Sequence, residues 1–380
     1  MSKKYKSGLV LGKYAPLHLG HCHLISSAAI GCEKLVVLAC SLKSEPIPGQ
    51  LRYQWVKHFC DTINKNNYGC VVKVENIIEE LPQLPEEHPN FWQIWCDLIR
   101  KNCPDIEVVY SSEDYGFELA KRLNIKHELV DKERIKFSVS GTKIRENPYE
   151  NWEFIYPEAR QYFIRRMYFL GPESTGKSTI SKLLSEKFET NWVPEYGRIL
   201  WEKNDGNINF MDFCEIVIKQ REIEDGLAQR SQSKMMFCDT DIITTKIFCE
   251  LYYPNDAHEL NMFFQYHIKK EIVNNNCHFF LMHPKGVEAV QDGTRSYLSV
   301  KQRMMHFKKL KDELDYWMVP YTILTGNYAN RISMVEKYIE NLSTVQTLKS
   351  VAQKLRGKEL FPEKMEYAKK FFANLQDEKR

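Results

Sequence analysis

Two α/β domains in tandem, each built on a parallel sheet flanked by helices, are the fold this sequence predicts. Three observations carry the expectation. The chain has 380 residues, more than one hydrophobic core ordinarily organises, so two domains are the natural prior. Near the N-terminus, Gly8-Leu9-Val10-Leu11-Gly12 reads as a short buried strand. It runs into a histidine-bearing loop, an apolar helix over 20–30 and a second strand over 35–40. Strand, loop, helix, strand is half of a Rossmann-like sheet. Further on, an apolar strand at 167–170 enters Gly171-Pro172-Glu173-Ser174-Thr175-Gly176-Lys177-Ser178. That is a full G-x-x-x-x-G-K-[ST] phosphate-binding loop, followed by a helix over 178–188.

The remaining elements fit the same alternation. Strands read at 108–110 and 127–130, with helices over 89–102 and 114–123. Asn147-Pro148 breaks the chain before a short aromatic, charged stretch. The sequence therefore divides into a first domain at 1–150, a linker at 151–165, a second domain at 166–342 and a charged helical extension at 343–380. Further strands of the second domain read at 235–238, 278–281 and 321–324.

Composition narrows the class. Hydrophobic residues make up 43% and charged residues 27%, as in an ordinary soluble enzyme. A net charge of +3 gives no support to a nucleic-acid or membrane role. No window approaches the roughly 18 consecutive apolar residues that would span a bilayer. The N-terminus lacks a signal-peptide core, and a cytoplasmic location is expected. The 11 cysteines are scattered without C-x-x-C spacing, so they read as small buried hydrophobes of a reducing compartment.

The first candidate site is His18-Leu19-Gly20-His21, at the start of a helix. Helix-start amides and the positive helix end face a phosphate chain, and His18 and His21 lie about one turn apart on the same side. Gly20 allows close backbone approach and Lys13, after Gly12, adds fixed charge. A phosphate nucleophile is already anionic, so this chemistry needs positioning and charge neutralisation rather than a base. Ser138-Val139-Ser140-Gly141-Thr142-Lys143-Ile144-Arg145 offers a second capped helix start, with Thr142 and Arg145 aimed at the same polyphosphate. Each motif alone also fits an ordinary helix cap. Together they resemble the nucleotidylyltransferase superfamily, with its HxGH and ISxTxxR signatures; valine stands here for the isoleucine.

In the second domain, Gly171 and Gly176 shape the phosphate loop. Lys177 would bridge β- and γ-phosphates of ATP, with Thr179 alongside, and Ser178 would ligate magnesium. The companion acid lies in Phe237-Cys238-Asp239-Thr240-Asp241. Asp239 suits a metal-linked or hydroxyl-directed role; Asp241 competes for it, or contacts nucleoside, or merely caps the helix that follows. Glu195, Tyr196 and Arg198 combine a carboxylate, a ring and a guanidinium suited to a ribose and a base. Arg295, after a glycine, fits a lid over triphosphate.

Taken whole, the chain resembles the bifunctional nicotinamide mononucleotide adenylyltransferase/ribosylnicotinamide kinase family, the NadR type. The likeness runs from Lys6 to Leu342 and rests on six segments: 12–21, 139–148, 171–178, 192–198, 239–245 and 292–296. It implies an N-terminal nucleotidylyltransferase domain and a C-terminal P-loop kinase domain. The second would phosphorylate ribosylnicotinamide with ATP and Mg2+; the first would join the mononucleotide to AMP, giving NAD and pyrophosphate. It implies small-molecule substrates only, with a homo-oligomer left open. Gly12, Lys13, His18, His21, Thr142 and Arg145 would form the adenylyltransferase site. Trp92 or Trp95 would stack on nicotinamide, unless they pack in the core, and Ser112 and Glu113 would read a base or ribose. Some members carry a DNA-binding helix-turn-helix first; here the opening strand starts almost at residue 1, and none is expected. A kinase for another nucleoside, or a sensor in which one site only binds, are the competing readings.

Overall fold

The computed structural model describes residues 3–66, 69–274, 276–288 and 299–342. It divides into two compact units, Met1–Arg160 and Gln161–Arg380. Arg295 and the 343–380 extension lie outside the described residues.

The first unit runs β1 (Tyr5–Gly12), α1 (Leu19–Gly31), β2 (Cys32–Ser41), α2 (Gly49–Lys65), β3 (Val71–Ile78), α3 (Phe91–Asn102), β4 (Val108–Ser111), α4 (Tyr115–Leu123), β5 (Lys126–Leu129), α5 (Gly141–Glu146) and α6 (Pro157–Arg160). Its five strands are all parallel, in the order β3-β2-β1-β4-β5. Leu9, Val10, Val37, Leu38, Val108 and Val109 are buried because a parallel sheet is covered on both faces. The helix α2 buries Arg52, Trp55, Val56, Cys60 and Ile63, the spacing of one helical face. Neither α2 nor β3 is marked by a motif, and the sequence reading leaves both out.

Residues 151–160 are not a linker. Trp152, Ile155 and Ala159 are buried. Ile155 forms a β-bridge with His18, and the Tyr156 amide donates to the Leu17 carbonyl at 3.1 Å. The segment completes the first unit by clamping its histidine loop.

The second unit continues with β6 (Arg165–Leu170), α7 (Lys177–Lys187), β7 (Asn191–Val193), α8 (Tyr196–Lys203), α9 (Asp212–Arg230), β8 (Met235–Asp239), α10 (Ile242–Tyr252), α11 (Asn261–Asn274), β9 (Cys277–Met282), α12 (Val300–Tyr316), β10 (Tyr321–Leu324) and α13 (Tyr328–Leu342). Its sheet is again five-stranded and parallel, in the order β10-β9-β6-β8-β7. All six residues of the central β6 are buried. Met167, Phe169, Phe237, Phe280 and Leu324 fill one core with Ile180 and Leu184 of α7.

A buried carboxylate ties α9 to β6. Glu224 is 1% exposed; it accepts from the Tyr168 hydroxyl and from Arg221, both at 2.8 Å, and pairs with Arg166 at 3.5 Å. Several donors on one carboxylate offset the cost of taking the charge out of water. None of the eleven cysteines is in a disulfide. Among the described residues no helix is long and apolar enough to cross a membrane.

Candidate active sites

In the first unit β1 lies between β2 and β4, where the strand order reverses. Open α/β sheets present ligand sites at the carboxyl ends of such strands. The loop leaving β1 carries His18, which is the N-cap of α1 in extended conformation; its Nδ1 accepts the His21 amide at 3.4 Å. That acceptor role places the proton of His18 on Nε2. The two imidazoles stack with centroids 3.7 Å apart, and Tyr14 meets His21 edge-on at 5.0 Å.

Both histidines are neutral. Burial, then the Arg134 guanidinium, lowers His18 to about 4. Burial, His18 and Arg134 hold His21 well below the usual imidazole range. They offer hydrogen bonds without charge. The charge is supplied by Lys13, Arg134 and Arg145.

Lys13 is held from both ends. Its ammonium sits 3.2 Å from Glu45, and Arg52, 1% exposed, bonds Glu45 at 2.6 Å and the Lys13 carbonyl at 3.0 Å. Arg134 donates to the Val139 carbonyl at 3.3 Å and to Glu113 at 2.9 Å. This draws the β4 end, with Ser112 and Glu113, toward the second motif. Arg134, Glu45 and Arg52 belong to no motif and are absent from the sequence reading.

The structure brings the two motifs of this unit together. Ser140 caps α5 by accepting the Lys143 amide at 3.2 Å. Arg145 donates to the Ala15 carbonyl at 2.5 Å and to the Thr142 hydroxyl at 3.1 Å. A Cβ on Gly141 would stand 2.9 Å from that same Ala15 oxygen, so the approach requires glycine. Gly12 packs against the Tyr14 ring.

Trp92 and Trp95 are placed elsewhere. Both pack on the core cluster formed by Leu9, Leu38, Ile99 and Leu119. The Trp95 indole donates to Pro82 at 3.0 Å, and Arg122 lies 5.2 Å over the Trp92 ring. Both rings, half-buried, contribute packing between α3 and α4.

In the second unit the phosphate loop leaves the central strand. Gly171 and Gly176 have φ of 154° and 85°, conformations that favour glycine. Lys177 folds back on the Gly171 and Pro172 carbonyls at 3.0 and 3.2 Å. Asp239 ends β8 opposite Phe169 of β6, so strand register alone sets it beside the loop. It is 2% exposed, and its Oδ1 has no hydrogen-bond partner. Burial raises its pKa, countered by Lys177, the Ser178 hydroxyl and Arg198.

Glu195 faces the same cluster. Burial and the Asp239 charge raise its pKa, while Lys177 and Arg198 oppose the shift. Glu195, Lys177 and Arg198 share a cleft of about 450 Å³, and the buried Asp239 interacts with all three from beneath it. Glu173, Ser178, Thr179, Glu195 and Arg198 line it, with Trp201, Phe213, Phe248, Tyr252 and Tyr328 as its aromatic wall.

Two expectations are corrected here. Tyr196 is not part of that wall: its hydroxyl donates to Glu215 at 2.7 Å and its amide to Gln220 at 2.8 Å. Asp241 is not a ligand contact. It is 0% exposed and caps α10, accepting from Ile243 N–H at 3.1 Å, Thr244 N–H at 3.0 Å and the Thr244 hydroxyl at 2.6 Å. Burial still pushes its pKa up to about 6 against those three bonds.

A glycine-rich loop between the central strand of a parallel sheet and a helix, with a buried acid on the neighbouring strand, defines a P-loop nucleotide-binding unit. Residues 166–331 accordingly match the family described as the AAA domain. Over about two thirds of its length the chain is homologous to the NadR proteins. It is 30% identical over 273 residues to the "trifunctional NAD biosynthesis/regulator protein NadR" of Escherichia coli (strain K12), covering 66% of this chain and 64% of that one. The Salmonella typhimurium protein of the same description is 29% identical over 267 residues, covering 64% and 62%. The chain thus spans less than two thirds of the length of these curated relatives. Among solved structures, a NadR protein in complex with NR superposes with a TM-score of 0.72 at 22% identity, covering 91% of this chain and 98% of that one. A NadR protein with NAD and AMP-PNP gives 0.69 at 23%, covering 89% and 98%. At these identities the likeness to solved structures is one of fold.

Two outcomes follow from this geometry. Asp241→Asn turns an acceptor toward a donor at a fully buried cap, and stability is expected to fall by about 1–2 kcal/mol. A thermal melt reads it; an unchanged midpoint would contradict the capping role. Gly141→Ala pushes on the Ala15 carbonyl and is expected to shift the His18 and His21 ring resonances. Identical histidine spectra would mean that the two loops do not touch.

Proposed function

We propose that the chain is a two-activity enzyme of NAD synthesis: a nucleoside kinase in the second unit and a mononucleotide adenylyltransferase in the first. The observation that carries this reading is that each unit sets its own phosphate-facing loop at the carboxyl end of the central strand of its own sheet. The relatives' description as NAD biosynthesis proteins, and the NR, NAD and AMP-PNP bound to the solved ones, support a reading with ribosylnicotinamide and ATP as substrates.

In the kinase reaction the nucleoside's ring lies against the aromatic wall of the cleft, and Glu195 accepts the proton of its reacting hydroxyl. The hydroxyl oxygen bonds to the γ-phosphorus as the bond to the β-bridging oxygen breaks, leaving ADP. Lys177 meets the charge that shifts onto the bridging oxygen, and the phosphate-loop amides hold the β-phosphate. The unpartnered Asp239 Oδ1 and the Ser178 hydroxyl beside it suit Mg2+, and these two residues would hold it. Bound there, the ion would neutralise the charge of the β- and γ-oxygens. The two carboxylates thus separate into a metal-directed Asp239 and a hydroxyl-directed Glu195, rather than Asp239 serving both ends.

In the adenylyl transfer the mononucleotide's phosphate oxygen attacks the α-phosphorus of ATP, and pyrophosphate leaves. No proton must be removed from the nucleophile. His18 and His21 donate neutral hydrogen bonds to the phosphate oxygens, while Lys13 and Arg145 neutralise the departing pyrophosphate.

His18→Ala is expected to slow NAD formation roughly a hundredfold, as for other lost preorganised donors, and to leave nucleoside phosphorylation intact. Lys177→Ala should do the reverse, abolishing phosphorylation while NAD is still made from supplied mononucleotide. Resolving products by chromatography with ATP, Mg2+ and ribosylnicotinamide checks both; a variant that lost the two activities together while folded would break the two-site reading.

The carboxylates separate by metal titration. Asp239→Asn should raise the Mg2+ concentration needed for half-maximal phosphorylation. Glu195→Gln should lower kcat with that requirement unchanged, and the opposite pattern would exchange the two roles.

A further inference from the structure

Arg331 of α13 is 0% exposed, and its guanidinium is spent entirely on backbone oxygens. Nε donates to Gly326 at 2.8 Å, Nη1 to Thr175 at 2.9 Å, and Nη2 to His283 at 2.7 Å and Lys285 at 2.9 Å. These carbonyls come from the loops that follow β10, β6 and β9. Among the described residues no carboxylate pairs with it. Burial presses its pKa down; the Tyr328 side chain opposes that shift, and the neighbouring cation Arg303 adds to it. Arg303 is itself 4% exposed and bonds the next carbonyls of the same loop, Glu173 and Ser174, both at 3.1 Å.

In a planar trans peptide the C=O and N–H point in opposite directions. Anchoring the carbonyls of Glu173, Ser174 and Thr175 from behind therefore turns the amides of Ser174, Thr175 and Gly176 the other way. Those residues line the cleft. Burying a cation is costly unless an anion compensates it, and among the described residues no carboxylate pairs with Arg331.

We propose that Arg331 is a positioning residue of the phosphate loop, fixing its amides toward the cleft and taking the nucleotide's phosphate chain as its counter-ion. The inference rests on the phosphate-loop reading above and deepens it. It makes α13 a working part of the nucleotide site even though Arg331 touches no ligand.

The test uses the full chain and the component of ATP binding that Lys177→Ala removes, measured by calorimetry. Arg331→Met is expected to weaken that component about tenfold, the scale of one screened charge at loop distance. Arg331→Lys, which keeps the charge but cannot span four carbonyls, should recover at least half of the loss on a logarithmic scale. The dependence of affinity on sodium chloride should flatten in the Met variant and persist in the Lys variant, a change that a bracing role alone would not produce. Ribosylnicotinamide affinity should remain near wild type in both variants and certifies the fold of the cleft. Wild-type ATP affinity in Arg331→Met, or equal weakening and equal salt dependence in the two variants, would overturn the counter-ion role. Absence of any Lys177-dependent ATP binding in the wild-type protein would overturn the phosphate-loop reading itself, and this inference with it.

Discussion

A polyphosphate has to be met by N–H groups and cations, yet every loop residue that offers an amide also brings a carbonyl. That oxygen must be taken elsewhere, or it repels the ligand the loop is meant to hold. Both units solve the problem in the same way, by arginines placed behind the loop. In the second unit Arg303 and Arg331 collect the carbonyls of Glu173, Ser174 and Thr175. In the first, Arg52 takes that of Lys13 and Arg145 that of Ala15. Guanidinium suits the task because its planar fork serves several acceptors and never loses its charge.

The two sites differ in how they carry charge. The first keeps its imidazoles neutral by burial and by the nearby Arg134. On the proposed reading its nucleophile is already an anion, and a fully charged site would hold the ground state as firmly as the transition state. On the same reading the second has a neutral hydroxyl to activate, and it gathers two carboxylates around one lysine. Each carboxylate is raised by burial and steadied by Lys177 and Arg198. The chemistry expected of each unit is thus written in the sign of its buried groups.

How much of this could be read from the chain alone depended on whether the residues that meet are close in sequence. The loops at 12–21, 138–145 and 171–178 are contiguous, and each ends in a helix start, so backbone geometry makes them legible. Asp239 was legible because it ends an apolar strand. The aromatic wall was not: Trp201, Phe213, Phe248 and Tyr252 come from three helices, and Tyr196 drew notice only because it sits beside Glu195. Asp241 illustrates the ambiguity of an acid at a strand end, where a cap and a ligand contact look alike until burial decides. Arg303 and Arg331 act on carbonyls far away in sequence, and no local pattern marks them or Arg134.

The stretch between the two sheets carries a lesson for anyone dividing the gene. Aromatic and charged in composition, it looks dispensable, but Ile155 is paired with His18 and Trp152 is buried. A first unit expressed to residue 150 would lose the segment that pairs with its own histidine loop. Its histidines would gain water and with it their ordinary basicity. The natural cut lies after Arg160, so the joint between the units is shorter than its composition suggests, and the final ten residues of the first unit support its histidine loop.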